Sequence, residues 1–156
     1  MVEITDNATI RMKRARYLNA VMALVCPYPL KYRQVWHFAR GDKSFYAWKP
    51  LAPDNFVALG IMCTTSEEPP SVKAMRCVPL SWCVPSKVKP AKIWDDTGAG
   101  GGKPGSMWTV NSMDMLTVVP GHDPPTETFY DLSSNRFFLE GFPIPKDRKE
   151  VNSLGR

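Results

Sequence analysis

The sequence predicts an all-β protein, an antiparallel β-sandwich of two similar halves, with a short N-terminal helix as an additional element. Short apolar and aromatic runs recur about every 8–14 residues from residue 32 to 139, a spacing typical of sandwiches and barrels. The 156 residues include 15 prolines, which punctuate strands and are poorly tolerated inside helices. Five tryptophans supply wide side chains suited to a core between sheets.

Residues 1–30 are expected to form an extension that is either a basic helix or a leading strand. Apolar positions recur near helical spacing from Thr9 to Val25, and Asp6 or Asn7 could cap a helix there. The alternative is a strand over Ala20–Val25, which is equally apolar. The segment carries four cations: Arg11, Lys13, Arg14 and Arg16. These cations suit a solvated surface or an anionic partner, with a membrane surface as the candidate.

Residues 31–140 are predicted to form the β-sandwich module. Tyr32–Phe38 and Phe45–Trp48 alternate aromatic and polar residues around a turn at 40–43, which predicts a hairpin. A kinked prolyl connection through Pro50 and Pro53 is expected to follow. Further strands are predicted at Phe56–Cys63, Ala74–Pro79, Ser81–Val84, Lys92–Trp94, Ser106–Val110, Met115–Val119, Thr128–Leu132 and Phe137–Leu139. Residues 141–156 are predicted to be a proline-containing, charged tail.

The two predicted halves share a short sequence repeat, called here the internal echo. Tyr46-Ala-Trp48 is followed by Glu68-Pro-Pro-Ser71, and Ser106-Met-Trp108 is followed by Asp123-Pro-Pro-Thr126. Such repetition is expected when two similar units pack together.

The pattern of reactive residues favours a non-catalytic protein without a metal or cofactor. The two histidines, His37 and His122, have no partner at metal-ligand spacing. The glycine-rich run 98–105 differs from a phosphate loop because Pro104 follows Lys103, so a hairpin loop is expected. Nucleic acid is disfavoured as a partner because strand alternation turns the aromatics inward. The four cysteines are expected to be reduced and mostly buried: Cys26, Cys63, Cys77 and Cys83.

A chain of motifs in this module resembles a known family. It begins with Trp36 and a polar hairpin and continues through a Trp-x-Pro-x-x-Pro strand pair, a Pro-Pro break and an Arg-Cys-Val strand. The matching residues are Trp36, Trp48, Pro50, Pro53, Phe56, Gly60, Pro69, Pro70, Arg76, Cys77, Trp108, Pro124, Pro125 and Tyr130. The run resembles a β module of vacuolar protein sorting-associated protein 13, of the bridge-like lipid transfer family. It is similar, more loosely, to repeats of vacuolar protein sorting-associated protein 62.

The resemblance implies a protein-interaction module of adaptor-binding β repeats, acting in recruitment or scaffolding at an endomembrane surface. In that family the repeats dock Pro-x-Pro peptides, and an asparagine supports each repeat. Here that asparagine falls one place early, as Asn111, so retention of peptide binding stays open. The alternative is a structural subunit of a larger assembly, docked through its terminal extensions.

The resemblance leads us to expect a cytoplasmic protein, peripheral on an endomembrane or organelle. A basic amphipathic helix at an N-terminus is also typical of a mitochondrial presequence, although Glu3 and Asp6 argue against that interpretation.

Overall fold

The computed structural model describes residues 5–99 and 102–144, and within them it shows one long helix and ten strands. The helix α1 spans Thr5–Val25. The strands are β1 (Lys31–Arg40), β2 (Lys43–Leu51), β3 (Phe56–Val57), β4 (Met62–Thr64), β5 (Val78–Pro79), β6 (Cys83–Pro85), β7 (Ala91–Asp95), β8 (Gly105–Val110), β9 (Met115–Pro120) and β10 (Tyr130–Leu132). The predicted antiparallel β class is confirmed, while the face-to-face sandwich stays a prediction. Most of the predicted tail lies outside the described residues.

Two three-stranded antiparallel sheets dominate the fold. In the first, β2 lies between β1 and β4, and in the second, β8 lies between β7 and β9. Two short antiparallel ladders, β3–β5 and β6–β10, join the remaining strands.

The two sheets repeat the same register, as the internal echo predicts. Trp48 and Trp108 occupy matching places on the two central strands. In both sheets the neighbouring strand carries an irregularity opposite the tryptophan, with one extra residue, Val35 in β1 and Ile93 in β7. A bulge at the same place bends the edge strands β1 and β7 in the same way. The two halves therefore resemble each other in structure as well as in sequence.

Trp36 is the residue around which the two sheets meet. It is buried with Ala47 and Val118, and its ring meets that of Trp94 edge-on at 5.9 Å. Its indole Nε1 donates to the Lys103 carbonyl at 2.9 Å. A Cβ added at Gly105 would lie 2.2 Å from the Trp36 ring, so this closeness requires glycine at position 105.

The N-terminal segment is helical, and the alternative strand over Ala20–Val25 is wrong. The helix begins at Thr5, so Asp6 and Asn7 lie inside its first turn and do not precede it. It ends before Pro27, where the ring and the missing amide would break the helical hydrogen bonds. Its last residue, Val25, is buried against the module.

Pro50 lies inside β2 and does not end it, contrary to the expected kink. It pairs with Tyr32 of β1, whereas β4 reaches only as far as Trp48. At Pro50 the central strand therefore has one neighbour only, and an edge position tolerates the missing amide donor.

Four other predicted strands differ in the structure. Phe56–Cys63 is split into β3 and β4 because its two ends pair with different strands. Ala74–Pro79 keeps only its last two residues as strand β5, because Ala74 ends the 3-10 turn Val72–Ala74 and residues 75–77 are irregular. The start of Ser81–Val84 lies in the 3-10 turn Leu80–Trp82. Phe137–Leu139 is an irregular loop after the 3-10 turn Ser134–Arg136. The hairpins β1–β2 and β8–β9 lie where they were predicted, and β10 is shorter than its prediction.

Candidate functional site

The four cations of the N-terminal segment lie on α1 and are exposed. At about 100° per residue they point to all sides of the helix, at about 0°, 200°, 300° and 140° for positions 11, 13, 14 and 16. Met12 and Leu18 on the same helix are exposed as well. The helix therefore lacks the separate apolar and basic faces of an amphipathic helix.

Arg76 anchors the end of α1 to the module. Its guanidinium donates to the carbonyls of Met22 at 3.2 Å and Cys26 at 2.8 Å, and to the Tyr28 hydroxyl at 3.0 Å. It also lies over the Tyr28 ring, 4.3 Å from the centroid. A cation at a helix C-terminus satisfies free carbonyls and complements the helix dipole. The next residue, Cys77, is buried and its amide donates to Pro27.

Asn111 is a buried structural junction, 1% exposed, at the start of the β8–β9 turn with a φ of 60°. Its Nδ2 donates to the carbonyls of Leu59 and Tyr130, both at 3.2 Å. Its Oδ1 accepts from the amides of Met113 and Met115 at 3.1 and 3.3 Å. Its side chain thus joins three separate segments of the chain.

The three motif tryptophans are buried and each indole nitrogen donates a hydrogen bond. Trp48 donates to Thr64 at 2.8 Å and Trp108 to Ser106 at 2.9 Å, in addition to the Trp36 bond. The other motif residues are placed as follows: Pro50 is buried, Pro53, Phe56, Gly60, Pro70, Pro125 and Tyr130 are half-buried, and Pro69 and Pro124 are exposed.

A cleft of about 160 Å³ opens beside Asn111. Its lining is mostly apolar and half-buried, and includes Phe56, Leu59, Leu116, Phe129 and Tyr130. Lys49 and Glu127, which form an ion pair, also line it. Asn111 binds the carbonyls of both Leu59 and Tyr130, so one side chain fixes two walls of this cleft.

The reactive side chains have structural partners. His122 Nε2 lies 2.6 Å from Asp96 Oδ1, which also accepts the Gly105 amide at 3.0 Å. The hydrogen bond with His122, followed by that from Gly105, lowers the pKa of Asp96. Sequence spacing could not reveal this pair because 26 residues separate its members. His37 meets Gln34 at 3.1 Å.

The four cysteines are free thiols, with Cys26, Cys77 and Cys83 buried and Cys63 exposed. Burial raises the pKa of all four thiols, which lowers the fraction of reactive thiolate. In the described part of the chain, no three histidine, cysteine or acidic side chains are grouped to hold a metal ion. Nor does any helix of residues 5–99 and 102–144 have the length and apolarity to cross a membrane.

Comparison with known proteins identifies the family of this chain. The model of one family, described as vacuolar protein sorting-associated protein 62, matches residues 9–114. The chain belongs to that family, and the match includes most of α1. This membership suggests a role related to vacuolar sorting. The further link to protein 13 stays a prediction.

The chain is also similar to a solved structure, the crystal structure of GNIP1Aa from Chromobacterium piscinae. The TM-score is 0.60 at 21% identity, over 83% of this chain and 27% of that chain. The likeness concerns the fold alone, and this chain spans about a quarter of that protein's length. No curated protein matches the chain.

Proposed function

We propose that this chain is a non-catalytic protein-interaction module that recruits or scaffolds partners at an endomembrane surface during vacuolar sorting. The cleft beside Asn111 carries the proposal, because it presents half-buried apolar side chains on hydrogen-bonded walls. Membership of the family supports the sorting role. The raised thiol pKa values and the internal pairing of both histidines support a role without catalysis.

The size of the cleft favours an apolar side chain of a protein over a small molecule. Small-molecule sites typically enclose about 300–1,000 Å³. The 160 Å³ found here accommodates one or two side chains. Its apolar lining and the neighbouring ion pair between Lys49 and Glu127 resemble an anchor pocket with a polar rim. A partner would therefore insert an apolar anchor residue and lie across the rim.

The test is quantitative co-purification from the native cell with two matched variants. Leu116→Glu places a carboxylate in the cleft, at a strand residue that is 38% exposed. Leu132→Glu makes the same change at a strand residue that is 36% exposed and outside the cleft lining. We expect Leu116→Glu to lower the recovery of specific partners at least about tenfold while Leu132→Glu retains them. Equal recovery with both variants would contradict the proposal.

The alternative function, a structural subunit docked through its terminal extensions, is favoured by the exposed surface of α1. Met12 and Leu18 are exposed there although they are large and apolar. In a larger assembly such a helix would be covered. A stoichiometric complex that survives Leu116→Glu but dissociates with Met12→Asp/Leu18→Asp would favour the subunit. Native mass measurement distinguishes these outcomes.

A further inference from the structure

Arg33 lies beside the cleft, on the face of the first sheet that the cleft occupies. It is the register partner of Lys49, which lines the cleft. Residues directly opposite each other in an antiparallel pair project their side chains to one face, with Cβ atoms about 4.5–5.5 Å apart. Lys31 is two positions earlier on β1, so it shares this face. Both residues are exposed, and the β1 side of the cleft therefore presents two cations to solvent.

The charge of these two cations is not neutralised within the module. Of the residues that line the cleft, one is acidic, and this residue, Glu127, forms its ion pair with Lys49. Within residues 5–99 and 102–144, neither Arg33 nor Lys31 belongs to an ion pair. A partner that lies across this rim of the cleft therefore meets unpaired positive charge.

The other carboxylates close in sequence to the cleft lining belong to different features. Asp131 accepts from the amide and the hydroxyl of Ser112, both at 2.7 Å. Asp54 lines a separate cleft beside Pro79. Asp114 belongs to the β8–β9 turn, where its amide donates to the Asn111 carbonyl at 3.4 Å. None of them lines the cleft beside Arg33.

The spacing of the two cations indicates the shape of a fitting partner. Residues two apart on a strand lie about 6.6–6.8 Å from each other, and alternate residues of an extended peptide have the same spacing. Two carboxylates two positions apart can therefore meet Arg33 and Lys31 together, and a guanidinium binds a carboxylate through two parallel hydrogen bonds. The cleft of about 160 Å³ then receives an apolar side chain from the same segment.

We propose that the cleft binds an extended acidic segment of a partner protein, whose apolar anchor enters the cleft and whose flanking carboxylates meet Arg33 and Lys31. This inference rests on the proposed function, because it names the chemistry of the partner at the same cleft. Opposite charge at the rim fixes the register of the segment and rejects basic segments. A lipid phosphate would meet the same cations but leave the apolar cleft unfilled.

The experiment is selection of random linear peptides, displayed on phage, against the full chain. We expect the selected peptides to share one large apolar position flanked by aspartate or glutamate, with few lysines and arginines. With Lys31→Glu/Arg33→Glu the selected flanks should become basic, and the acidic peptides should bind at least about tenfold more weakly. The control Lys43→Glu/Lys73→Glu makes the same change in net charge at exposed residues outside the cleft lining, and it should keep the acidic preference.

A second variant excludes a folding defect as the cause of weaker binding. Lys31→Gln/Arg33→Gln should lose the preference for acidic flanks and still bind peptides through the apolar anchor, whereas a misfolded chain would lose both. The acidic partner would be refuted by a selection that yields no peptides, by peptides without acidic flanks, or by equal weakening in the Lys43→Glu/Lys73→Glu control. Anionic vesicles that bind through Lys31 and Arg33, and bind Leu116→Glu equally well, would assign the cations to lipid and also contradict it.

Failure of this inference is distinguishable from failure of the proposed function. Peptides that are lost with Leu116→Glu but show no charge preference would refute the acidic partner and leave the cleft as the interaction site. Peptides that bind Leu116→Glu as well as wild type would refute the cleft itself.

Discussion

Replacement of Asn111 is expected to destabilise the whole module, because its side chain makes four hydrogen bonds in a buried site. Asn111→Ala leaves the carbonyls of Leu59 and Tyr130 without this donor and two turn amides without this acceptor. Each buried group left unpaired costs about 1–3 kcal/mol, and the positive φ adds about 1 kcal/mol for alanine. Since water can reach the turn amides, we expect a total loss of about 3–5 kcal/mol.

Urea unfolding followed by tryptophan fluorescence measures this loss, and the melting temperature should fall by about 10 °C. Asn111→Asp is a more specific test. It keeps the oxygen that accepts from the amides of Met113 and Met115, but replaces the Nδ2 donor with an oxygen that faces the carbonyls of Leu59 and Tyr130. Its carboxyl pKa should be raised in the folded protein, so stability should fall as the pH rises above about 4. A loss below about 1 kcal/mol for Asn111→Ala would refute the junction role.

Three further perturbations test other parts of the fold. Gly105→Ala should cost about 3 kcal/mol or more in urea unfolding, because the new methyl overlaps the buried Trp36 ring. Arg76→Ala should speed hydrogen exchange at the end of α1 by about tenfold or more, because it removes charged hydrogen bonds to the carbonyls of Met22 in the helix and Cys26 just after it. Hydrogen bonds from Thr97 are the main reason why the pKa of Asp95 is lowered to about 2. The folded-state pKa lies below the unfolded one, so this contribution to stability is complete above about pH 4 and is lost as the pH falls toward 2.

Each of these has a matched control. At Gly60→Ala the new methyl lies 3.0 Å from the flexible end of Met115 and 3.2 Å from its Cβ, against 2.2 Å from the Trp36 ring at Gly105→Ala, so it should cost less. Equal costs would refute the Trp36 packing. Arg33→Ala removes an exposed cation of β1 and should leave α1 exchange unchanged. Asp95→Asn should flatten the acid slope of the unfolding free energy; an unchanged slope contradicts the assignment.

The sequence correctly predicted those elements that depend on residues close together in the chain. The hairpins β1–β2 and β8–β9 follow from alternation and turn residues, and the repeated tryptophans mark the central strands. The long segment Phe56–Cys63 could not be divided correctly, because the division reflects pairing with β5 and β2 and not its own composition. The kink expected at Pro50 was wrong for the same reason. Whether β2 can contain a proline at this position depends on where its neighbour β4 ends.

The candidate sites were less accessible to sequence reasoning. The cleft combines residues near 56, 116 and 129, which only the packed sheets bring together. The anchoring of α1 by Arg76 spans 50 residues to Cys26. The family pattern singled out Asn111, but its burial and its hydrogen bonds to Leu59 and Tyr130 are visible only in the structure. The exposed loop at Phe137–Leu139 was misassigned as a strand because its residue types are those that favour strands.

Hydrogen-exchange mass spectrometry of the complex with a co-purified partner tests the central claim most directly. If the partner inserts an apolar anchor into the cleft, exchange should slow in residues 56–61, 115–117 and 127–130, and should be unchanged in α1. Slowing confined to residues 11–20 of α1, with unchanged exchange around the cleft, would contradict the interaction-module account and favour a docked structural subunit.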